Sequence, residues 1–314
     1  MKKILVTGGA GFIASHIVDK YIAEGHDVVV VDNLLTGKKE NVNKKAKFYQ
    51  ADIKDTEEIN KIFDKEKPEI VNHHAAIAEV VKSLRDPIPT FQTNVLGTIN
   101  LLIAGQNNGM KKFIFASTGG AIYGSARLTT NGEPIPADEN TPEMPLSPYG
   151  FSKLLGEQAI KFYSRLGSPV GEFKYLIFRY PNVYGPRQNP KGEAGVVAIF
   201  TDLIKNKKSP TIFGDGTKAR DYTHVDDVVL ANILGLEKGE NETLNLGWGK
   251  PITDQEVFDT IASALKSDIK CQYAPYRTGE VYKISLDNKK AQKVLGWKPK
   301  ISFTEGIKYY IKPL

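Results

Sequence analysis

Tyr149 and Lys153 are the residues of this chain whose types and spacing could carry out acid–base chemistry. They form the sequence Tyr149-Gly-Phe-Ser-Lys153, and of the fourteen tyrosines only Tyr149 has a lysine four residues later. On a helix, side chains at this spacing share one face, so an ammonium group beside the phenol would favour its ionised form. The spacing therefore indicates a tyrosine that acts as a base, although the same pair also occurs on ordinary helix surfaces.

A glycine-rich turn near the start of the chain points to cofactor binding. Gly8, Gly11 and Ala14 recur at three-residue intervals directly after a short apolar run at residues 4–6. Such glycines let the backbone approach a pyrophosphate, and a helix that begins near Phe12 would direct free N–H groups and the positive end of its dipole toward it. The residues predicted to bind this dinucleotide are Gly8, Gly11, Phe12 and Ile13.

A carboxylate follows the second apolar run, at residues 28–31. Asp32 lies eighteen residues beyond Ala14, where it can accept hydrogen bonds from both hydroxyls of an adenosine ribose. A 2′-phosphate would meet like charge there, so NAD is expected rather than NADP; the nearby Lys38 and Lys39 are the argument for the phosphorylated cofactor. The run at 48–51 precedes Asp52 and Ile53, which are expected to cover the adenine ring. The further cofactor contacts predicted here are Asn33, Asp52 and Ile53.

The composition is that of an ordinary globular protein. The 314 residues, 41% of them hydrophobic, can bury a large core, and the formal charge of +6 is spread along the chain with no block that would bind nucleic acid. The single cysteine, Cys271, cannot form an internal disulfide and lacks neighbouring metal-ligand spacing. No stretch is long and apolar enough to span a bilayer. We therefore expect a cytoplasmic protein without a metal, a nucleic-acid partner or a membrane.

Short apolar runs alternate with helical patterns in the first half of the chain. Besides the runs above, residues 70–71, 113–115 and 175–178 are typical of buried parallel strands. The alternation predicts an α/β fold with a Rossmann-type doubly wound parallel sheet, whose ligands bind at the carboxyl ends of the strands. One helix is predicted over 91–106, and another opens at Tyr149.

After about residue 180 this rhythm loosens, and Pro181, Pro186, Pro190 and Gly192 interrupt the chain before a helical stretch at 196–205. We expect an NAD-binding Rossmann domain at residues 1–179, to which the segment 220–237 returns. Residues 180–314 are expected to form mainly a smaller α/β substrate-binding lobe. The two helices at 91–106 and 151–166 carry more apolar residues than one sheet contact needs, which favours a homodimer.

Further motifs resemble one enzyme family over nearly the whole length of the chain. They are Val31-Asp32-Asn33-Leu34, His73-His74-Ala75-Ala76, Thr93-Asn94-Val95-Leu96-Gly97-Thr98, Arg179-Tyr180-Pro181-Asn182-Val183-Tyr184-Gly185-Pro186, Phe213-Gly214-Asp215-Gly216, Arg220-Asp221-Tyr222-Thr223-His224 and Leu295-Gly296-Trp297. Together with the glycine turn and the Tyr-Lys pair, they make the chain similar to the extended short-chain dehydrogenases/reductases, and specifically to the UDP-glucose 4-epimerase group.

The resemblance implies a reaction and a set of residues for it. Tyr149 would take the proton of the sugar C4 hydroxyl, Thr118, just beyond the fifth strand, would hydrogen-bond that hydroxyl, and Lys153 would also hold the nicotinamide ribose. A hydride would pass to NAD and return to the other face of a transient 4-keto sugar. Additional cofactor contacts are implied at Ala75, Ala76 and Asn94. The implied contacts to the UDP-sugar are Asn182, Arg220, Tyr222 and Arg277, with Glu280 in a position where the family usually has aspartate.

The sequence leaves the sugar open. UDP-glucose and UDP-galactose are the leading pair, their N-acetylated forms stay open because Ile284 is of intermediate size, and an epimerase or decarboxylase of UDP-glucuronate is an alternative. A dehydratase is disfavoured because Gly119 and Gly120 follow Thr118 where an acid and a base would be needed. A non-enzymatic NAD sensor is disfavoured by the intact catalytic set. His73 and His74 are not expected to bind a metal, since successive side chains of an extended segment diverge.

Overall fold

The computed structural model describes residues 1–126, 129–130, 134–166, 172–191, 195–277 and 280–311. Gly192, Thr278 and Gly279 of the sequence motifs lie outside these residues. The strands are β1 (Lys3–Thr7), β2 (Asp27–Val31), β3 (Lys47–Tyr49), β4 (Ile70–His73), β5 (Lys112–Thr118), β6 (Lys174–Tyr180), β7 (Asn182–Tyr184), β8 (Thr211–Phe213), β9 (Ala219–Arg220), β10 (Tyr222–His224), β11 (Glu242–Asn245), β12 (Ile252–Thr253) and β13 (Gln272–Ala274).

The α-helices alternate with these strands. They are α1 (Phe12–Ala23), α2 (Thr56–Glu66), α3 (Val80–Arg85), α4 (Ile88–Phe91), α5 (Gly97–Asn107), α6 (Gly119–Ile122), α7 (Pro148–Leu166), α8 (Val196–Lys205), α9 (Val225–Gly235), α10 (Asp254–Ala264), α11 (Lys289–Leu295) and α12 (Phe303–Ile311). A 3₁₀ turn covers Lys39–Asn41, and a π-helical segment, Gln92–Leu96, joins α4 to α5.

Seven parallel strands form the central sheet, in the order β11-β6-β5-β4-β1-β2-β3. Successive residues of the inner strands point to opposite faces, so Ile4 and Val6 pack into one apolar cluster while Leu5 packs into another. Because both faces are covered, the inner strands are apolar throughout, as parallel strands require. The Rossmann-type doubly wound fold is confirmed.

Several element boundaries differ from the expectations. Thr118 is the last residue of β5 and does not lie beyond it, Asp32 follows β2 directly, and the strand expected at 48–51 is Lys47–Tyr49. The helix expected at 91–106 lies within a longer helical run from Ile88 to Asn107. The seventh strand, β11, was not predicted because its sequence Glu-Thr-Leu-Asn contains one apolar residue and shows no clear strand pattern.

Helix α7 places the Tyr-Lys pair against the sheet. Its buried residues recur at helical spacing and include Gly150, Lys153, Gly156 and Glu157. A Cβ at Gly156 would lie 2.9 Å from the ring of Phe115, so this glycine lets the helix approach β5 closely. The helix therefore presents a lysine and a glutamate toward the interior of the protein.

A third apolar cluster lies beyond the central sheet and involves α8, α10 and α12. It contains Phe200, Val257, Phe258, Ile261 and Ile307. Three two-stranded sheets, β7 with β10, β8 with β13 and β9 with β12, accompany it. Helix α9 contributes Val228, Val229 and Ala231 to the cluster of α1 and the central sheet. Within the described residues, no helix is long and apolar enough to cross a membrane.

Candidate active site

The glycine-rich turn between β1 and α1 is shaped for a close ligand. Gly8 has a φ of +70°, and a Cβ there would lie 2.8 Å from the backbone nitrogen of Ala75. Gly11 immediately precedes α1, and no side chain of the described residues caps this twelve-residue helix. The first N–H groups of α1 are therefore left for an anion, as the phosphates of a dinucleotide require. The turn fits the predicted cofactor.

Asp32 lies where the ribose-binding carboxylate was expected. It is 7% exposed, and its two oxygens accept hydrogen bonds from the backbone N–H groups of Ala10, at 3.0 Å, and Leu34, at 2.8 Å. These bonds fix the carboxylate beside the glycine turn. Nearby, Asn33 donates to Asp52 over 3.1 Å, which joins the segments after β2 and β3. The predicted adenosine-side residues are thus grouped at one edge of the sheet.

The loop after β4 is held against this turn by buried hydroxyl and imidazole groups. The side chains of Thr7 and His73 are 2.7 Å apart, and Thr7 also accepts a hydrogen bond from the backbone N–H of Ala75. On the other side of the ring, His73 Nε2 lies 2.9 Å from the hydroxyl of Thr98. His73 therefore positions the loop that carries Ala75 and Ala76.

Asn94, predicted to contact the cofactor, has a structural task here. Its amide oxygen accepts from the N–H of Ile77 at 2.8 Å, and its amide nitrogen donates to the carbonyl of Ile77 and the hydroxyl of Ser152, both at 2.9 Å. The residue is 1% exposed. Asn94 therefore connects the loop after β4 to α7.

Thr118 and Tyr149 meet at the carboxyl edge of the sheet. Thr118 ends β5 and pairs in register with Tyr180 of β6, while Tyr149 is the second residue of α7. The backbone N–H of Tyr149 donates to Ser83 at 3.2 Å, which fixes the start of the helix. A side-chain hydrogen bond joins Thr118 to the phenol. One turn later, Lys153 Nζ lies 4.3 Å from the centroid of the Phe115 ring.

The structure corrects the expectation that Lys153 holds this phenol as an anion. Burial raises the pKa of Tyr149 to about 12, and the hydrogen bond with Thr118 only partly opposes that effect. Burial likewise lowers the pKa of Lys153 to about 7, although Glu157 raises it. Because removal from water disfavours the charged form of both groups, the phenol is neutral near pH 7 in the protein without ligands.

A buried network of charges below this pair was missed in the sequence. Glu157 is fully buried and accepts two hydrogen bonds from Arg179, at 2.9 Å and 2.7 Å, and one from Ser117, at 2.5 Å. The signal that could have revealed it is a charged residue four positions after Lys153 on the same helix face. Arg179 also reaches Tyr123 at 2.8 Å and Glu143 at 2.7 Å.

Asn182 lies across from Thr118, with the glycines after β5 between them. A Cβ at Gly120 would lie 3.3 Å from the amide oxygen of Asn182 and 3.9 Å from the hydroxyl of Thr118. At Gly119 a Cβ would be only 2.4 Å from Leu286. The glycine pair therefore leaves open the space that separates a residue of the predicted catalytic set from one predicted to bind substrate.

Several cations surround the predicted nucleotide end of this space. Arg220 donates to the carbonyls of Ala219, at 3.0 Å, and Tyr282, at 3.1 Å. Tyr222, two residues later, is 3% exposed. The guanidinium carbon of Arg277 lies 3.4 Å from the centroid of the Phe213 ring. Three basic or aromatic side chains that could contact an anionic nucleotide thus belong to β8, β9 and the segment after β13.

Lys218 occupies the carboxylate that was in doubt. Its ammonium forms ion pairs with Glu280 and, at 3.5 Å, with Asp254, and it is 8% exposed. Glu280 also lies 3.7 Å from Arg277. The sequence gave no reason to single out Lys218, although it stands two residues before Arg220 on the same short segment. Glu280 is therefore shared between two cations.

The adjacent histidines diverge as expected. His73 packs against Phe113 and Phe115 on one face of the sheet, whereas His74 lies on the other, 3.1 Å from the hydroxyl of Tyr180. Burial lowers the pKa of His74 to about 3, so this imidazole is neutral. Among the described residues there is no group of three or more potential metal ligands.

Comparisons with known proteins agree with this geometry. Residues 4–247 match the profile of the NAD dependent epimerase/dehydratase family. The chain is 38% identical over 311 residues to UDP-glucose 4-epimerase of Mycolicibacterium smegmatis, which covers 97% of this chain and 96% of that protein. It is similar to the structure of UDP-glucose 4-epimerase from Thermotoga maritima with UDP-glucose, with 47% identity, a TM-score of 0.93 and coverage of 98% and 97%. For the Thermus thermophilus enzyme in complex with NAD, the values are 42%, 0.91, 98% and 97%.

Proposed function

Because this chain belongs to the NAD dependent epimerase/dehydratase family, we propose that it interconverts UDP-glucose and UDP-galactose through a transient 4-keto sugar. The observation that carries this proposal is the grouping of Thr118, Tyr149 and Lys153 at the carboxyl edge of the sheet. When bound, NAD supplies the hydride acceptor for C4 and the hydride donor for its return. The protein's own residues must then bind, orient and move a proton.

The glycine turn and Asp32 are proposed to hold the NAD. The uncapped start of α1 would bind the pyrophosphate, and the carboxylate of Asp32 retains lone pairs for the ribose hydroxyls. The two lysines that might have favoured a 2′-phosphate are otherwise engaged. Lys38 forms an ion pair with Glu40 at 3.5 Å, and Lys39 lies 6.0 Å from the ring centroid of Phe48. NAD is therefore the form that the site favours.

Tyr149 is proposed to accept the C4 hydroxyl proton, with Thr118 hydrogen-bonded to the same sugar oxygen. Since the phenol is neutral before the substrate binds, it must give up its own proton as the substrate is engaged. Lys153, one turn along the same buried face, is the cation placed to stabilise the negative charge that develops on the phenol. In this role Lys153 has to be protonated, so its environment decides how much active protein exists at neutral pH.

Epimerisation requires the intermediate to present both faces of C4, so the protein must hold the substrate mainly through its UDP group. We propose Asn182, Arg220, Tyr222 and Arg277 as these contacts. Arginines suit a diphosphate because they remain charged when buried and donate in pairs. Glu280 is proposed to orient Arg277, since Lys218 and Arg277 both contact it.

The N-acetylated pair of UDP-hexoses is the second candidate substrate. A cavity of about 90 Å³ lies beside Ile284 and is lined mainly by apolar groups, including those of Tyr123 and Met144. Ile284 itself is 2% exposed and packs with Leu286. A UDP-glucuronate epimerase or decarboxylase remains the alternative chemistry with the same first step.

The assembly and setting proposed for the chain follow from its surface and composition. Apolar side chains that are 40% to 59% exposed lie on α5 and α7 and the adjoining π-helical segment, which supports a homodimer with a second copy of this chain covering them. They are Leu96, Ile103, Phe151, Phe162 and Leu166. We also propose the division into residues 1–179, with 220–237, and a lobe of mainly 180–314. A lone free cysteine favours the cytoplasm.

The proposal is tested by incubating the purified protein with UDP-glucose, UDP-N-acetylglucosamine or UDP-glucuronate, without added cofactor, and following the sugar by NMR. Conversion of UDP-glucose to UDP-galactose supports it. Turnover of only UDP-N-acetylglucosamine would assign the second candidate, and turnover of only UDP-glucuronate the alternative. Absence of turnover with all three would refute the proposed function.

A further inference from the structure

Helix α7 carries a buried carboxylate one turn after the buried ammonium of the proposed site. Lys153 is 4% exposed and Glu157 is fully buried, and both lie on the face of α7 that packs on the sheet. Side chains at this spacing are neighbours on a helix. A pair of opposite charges removed from water interacts far more strongly than the same pair on a surface. Glu157 is therefore placed to influence Lys153 without touching a substrate.

Glu157 also touches both members of one rung of the central sheet. Ser117 of β5 and Arg179 of β6 are partners in register, and both donate hydrogen bonds to the Glu157 carboxylate, at distances between 2.5 Å and 2.9 Å. The next rung toward the carboxyl edge is Thr118 with Tyr180. The carboxylate therefore ties α7, which carries Tyr149 and Lys153, to the strand that ends in Thr118.

The other charged groups around this pair make Glu157 distinctive. Lys161, one turn further along α7, lies 3.8 Å from Glu157 and is partly exposed. Arg179 is 1% exposed and forms a second ion pair with Glu143, which is 32% exposed. His73 and His74 face Lys153 from the end of β4, and burial lowers the pKa of both, so they are neutral.

Among these groups only Glu157 is a buried anion on the Lys153 face of α7. Burial lowers the pKa of Lys153 to about 7, and the charge of Glu157 raises it against that effect. The hydroxyl of Tyr149 adds no charge, since burial keeps the phenol neutral.

We propose that Glu157 is a positioning residue of the reaction, which keeps Lys153 protonated in its buried site and fixes the rung that supports Thr118. This inference rests on the proposed function in taking Lys153 as the cation of the site. Removing the charge should make Lys153 lose its proton at lower pH, because burial then acts on the ammonium with less opposition. Removing the hydrogen bonds should loosen the contact between α7 and β5.

The test is an NMR titration of Lys153 in the protein as purified, with lysines labelled at the ε-carbon and the signal assigned by its loss in Lys153→Met. In Glu157→Gln the midpoint is expected about one pH unit or more below that of the unsubstituted protein. Glu143→Gln is the matched control, because Glu143 pairs with the same arginine on its outer side and should leave the midpoint where it was. An unchanged midpoint in Glu157→Gln overturns the inference.

Turnover gives a second readout where the proposed activity is present. The pH at which activity declines on the alkaline side should move down in Glu157→Gln by the same amount as the NMR midpoint, and should stay in place in Glu143→Gln. If Glu157→Gln does not fold, Glu157→Asp withdraws the carboxylate by one methylene and should lower the midpoint by a smaller amount; no shift there overturns the inference. Since the titration needs no substrate, it remains decisive even if no sugar is turned over.

Discussion

Thr118, the last residue of β5, is hydrogen-bonded to Tyr149, the second residue of α7, across the carboxyl edge of the sheet. The contact joins the strand that ends at the proposed sugar site to the helix that carries the proposed base. It also makes Thr118 the one neighbour identified as lowering the pKa of that phenol.

Replacement of Thr118 should therefore impair turnover in a graded way. Thr118→Ala removes a hydrogen bond to the phenol and to the sugar, and a loss of about tenfold to a hundredfold in kcat is expected, in line with about 1.4 kcal/mol for each factor of ten. Thr118→Ser keeps the hydroxyl and should retain most of the activity. Steady-state kinetics on both variants make the comparison, and equal activity of Thr118→Ala and Thr118→Ser would remove the role of the hydroxyl.

Tyr149→Phe should abolish proton transfer while leaving the cofactor in place. We expect kcat to fall by at least about a hundredfold, within the usual range for a residue that transfers a proton. The dinucleotide content of the purified variant, measured after denaturation, should equal that of the unsubstituted protein, because the glycine turn and Asp32 lie on other elements. Near-normal turnover would exclude Tyr149 as the base, whatever the dinucleotide content.

Glu66 should make stability depend on pH in the acid range. Burial raises the pKa of this 3% exposed carboxyl, but hydrogen bonds from Lys47, Tyr49 and Lys3 outweigh burial and lower it to about 2, below its usual value of 4.5. A depressed carboxyl pKa contributes stability that is complete above the value in the unfolded chain and is lost as the pH falls toward the folded value. The stabilising contribution of Glu66 is therefore expected above about pH 5 and should fade toward pH 2.

Urea unfolding of Glu66→Gln at several pH values checks this expectation. At pH 7 the variant should be less stable by about 1 to 3 kcal/mol, since three donors lose a charged acceptor. The difference should shrink as the pH falls from 4.5 toward 2. Glu57→Gln is the control, because Glu57 forms an exposed ion pair with Lys61 and should change stability little at any pH. A deficit of Glu66→Gln that is independent of pH would contradict the account.

The exposed apolar side chains of α5 and α7 should form an interface between two copies of the chain. Phe162→Glu would bury a charge there, so light scattering is expected to show a monomer where the unsubstituted protein is a dimer. Tyr273→Glu changes a comparably exposed aromatic side chain outside these helices and should leave the dimer intact. A monomer before any substitution, at micromolar concentration, would refute the interface.

Local sequence patterns sufficed for those parts of the fold in which burial and spacing carry a strong signal. The apolar runs of β1, β2 and β5 predicted buried parallel strands, and the glycine turn before Phe12 predicted the start of α1. The polar strand β11 gave no such signal, because its pairing with β6 depends on tertiary structure. Sequence spacing likewise brought Tyr149 and Lys153 to one helix.

The protonation of that pair could not be predicted from spacing. It depends on how completely Tyr149 and Lys153 are removed from water, which only the packed structure determines. For the same reason Glu157 and Arg179 were not recognised: their importance comes from a meeting between a helix and two strands. Lys218 is similar, since its pairing with Glu280 joins residues far apart in the chain.

The central claim, reversible oxidation at C4, is tested most directly with UDP-glucose deuterated at C4 and no added cofactor. The account predicts UDP-galactose that retains the deuterium at C4, because the hydride that leaves the carbon returns to it within one active site. Product that has exchanged the label with solvent, or substrate that stays unchanged while the protein carries no dinucleotide, would contradict it.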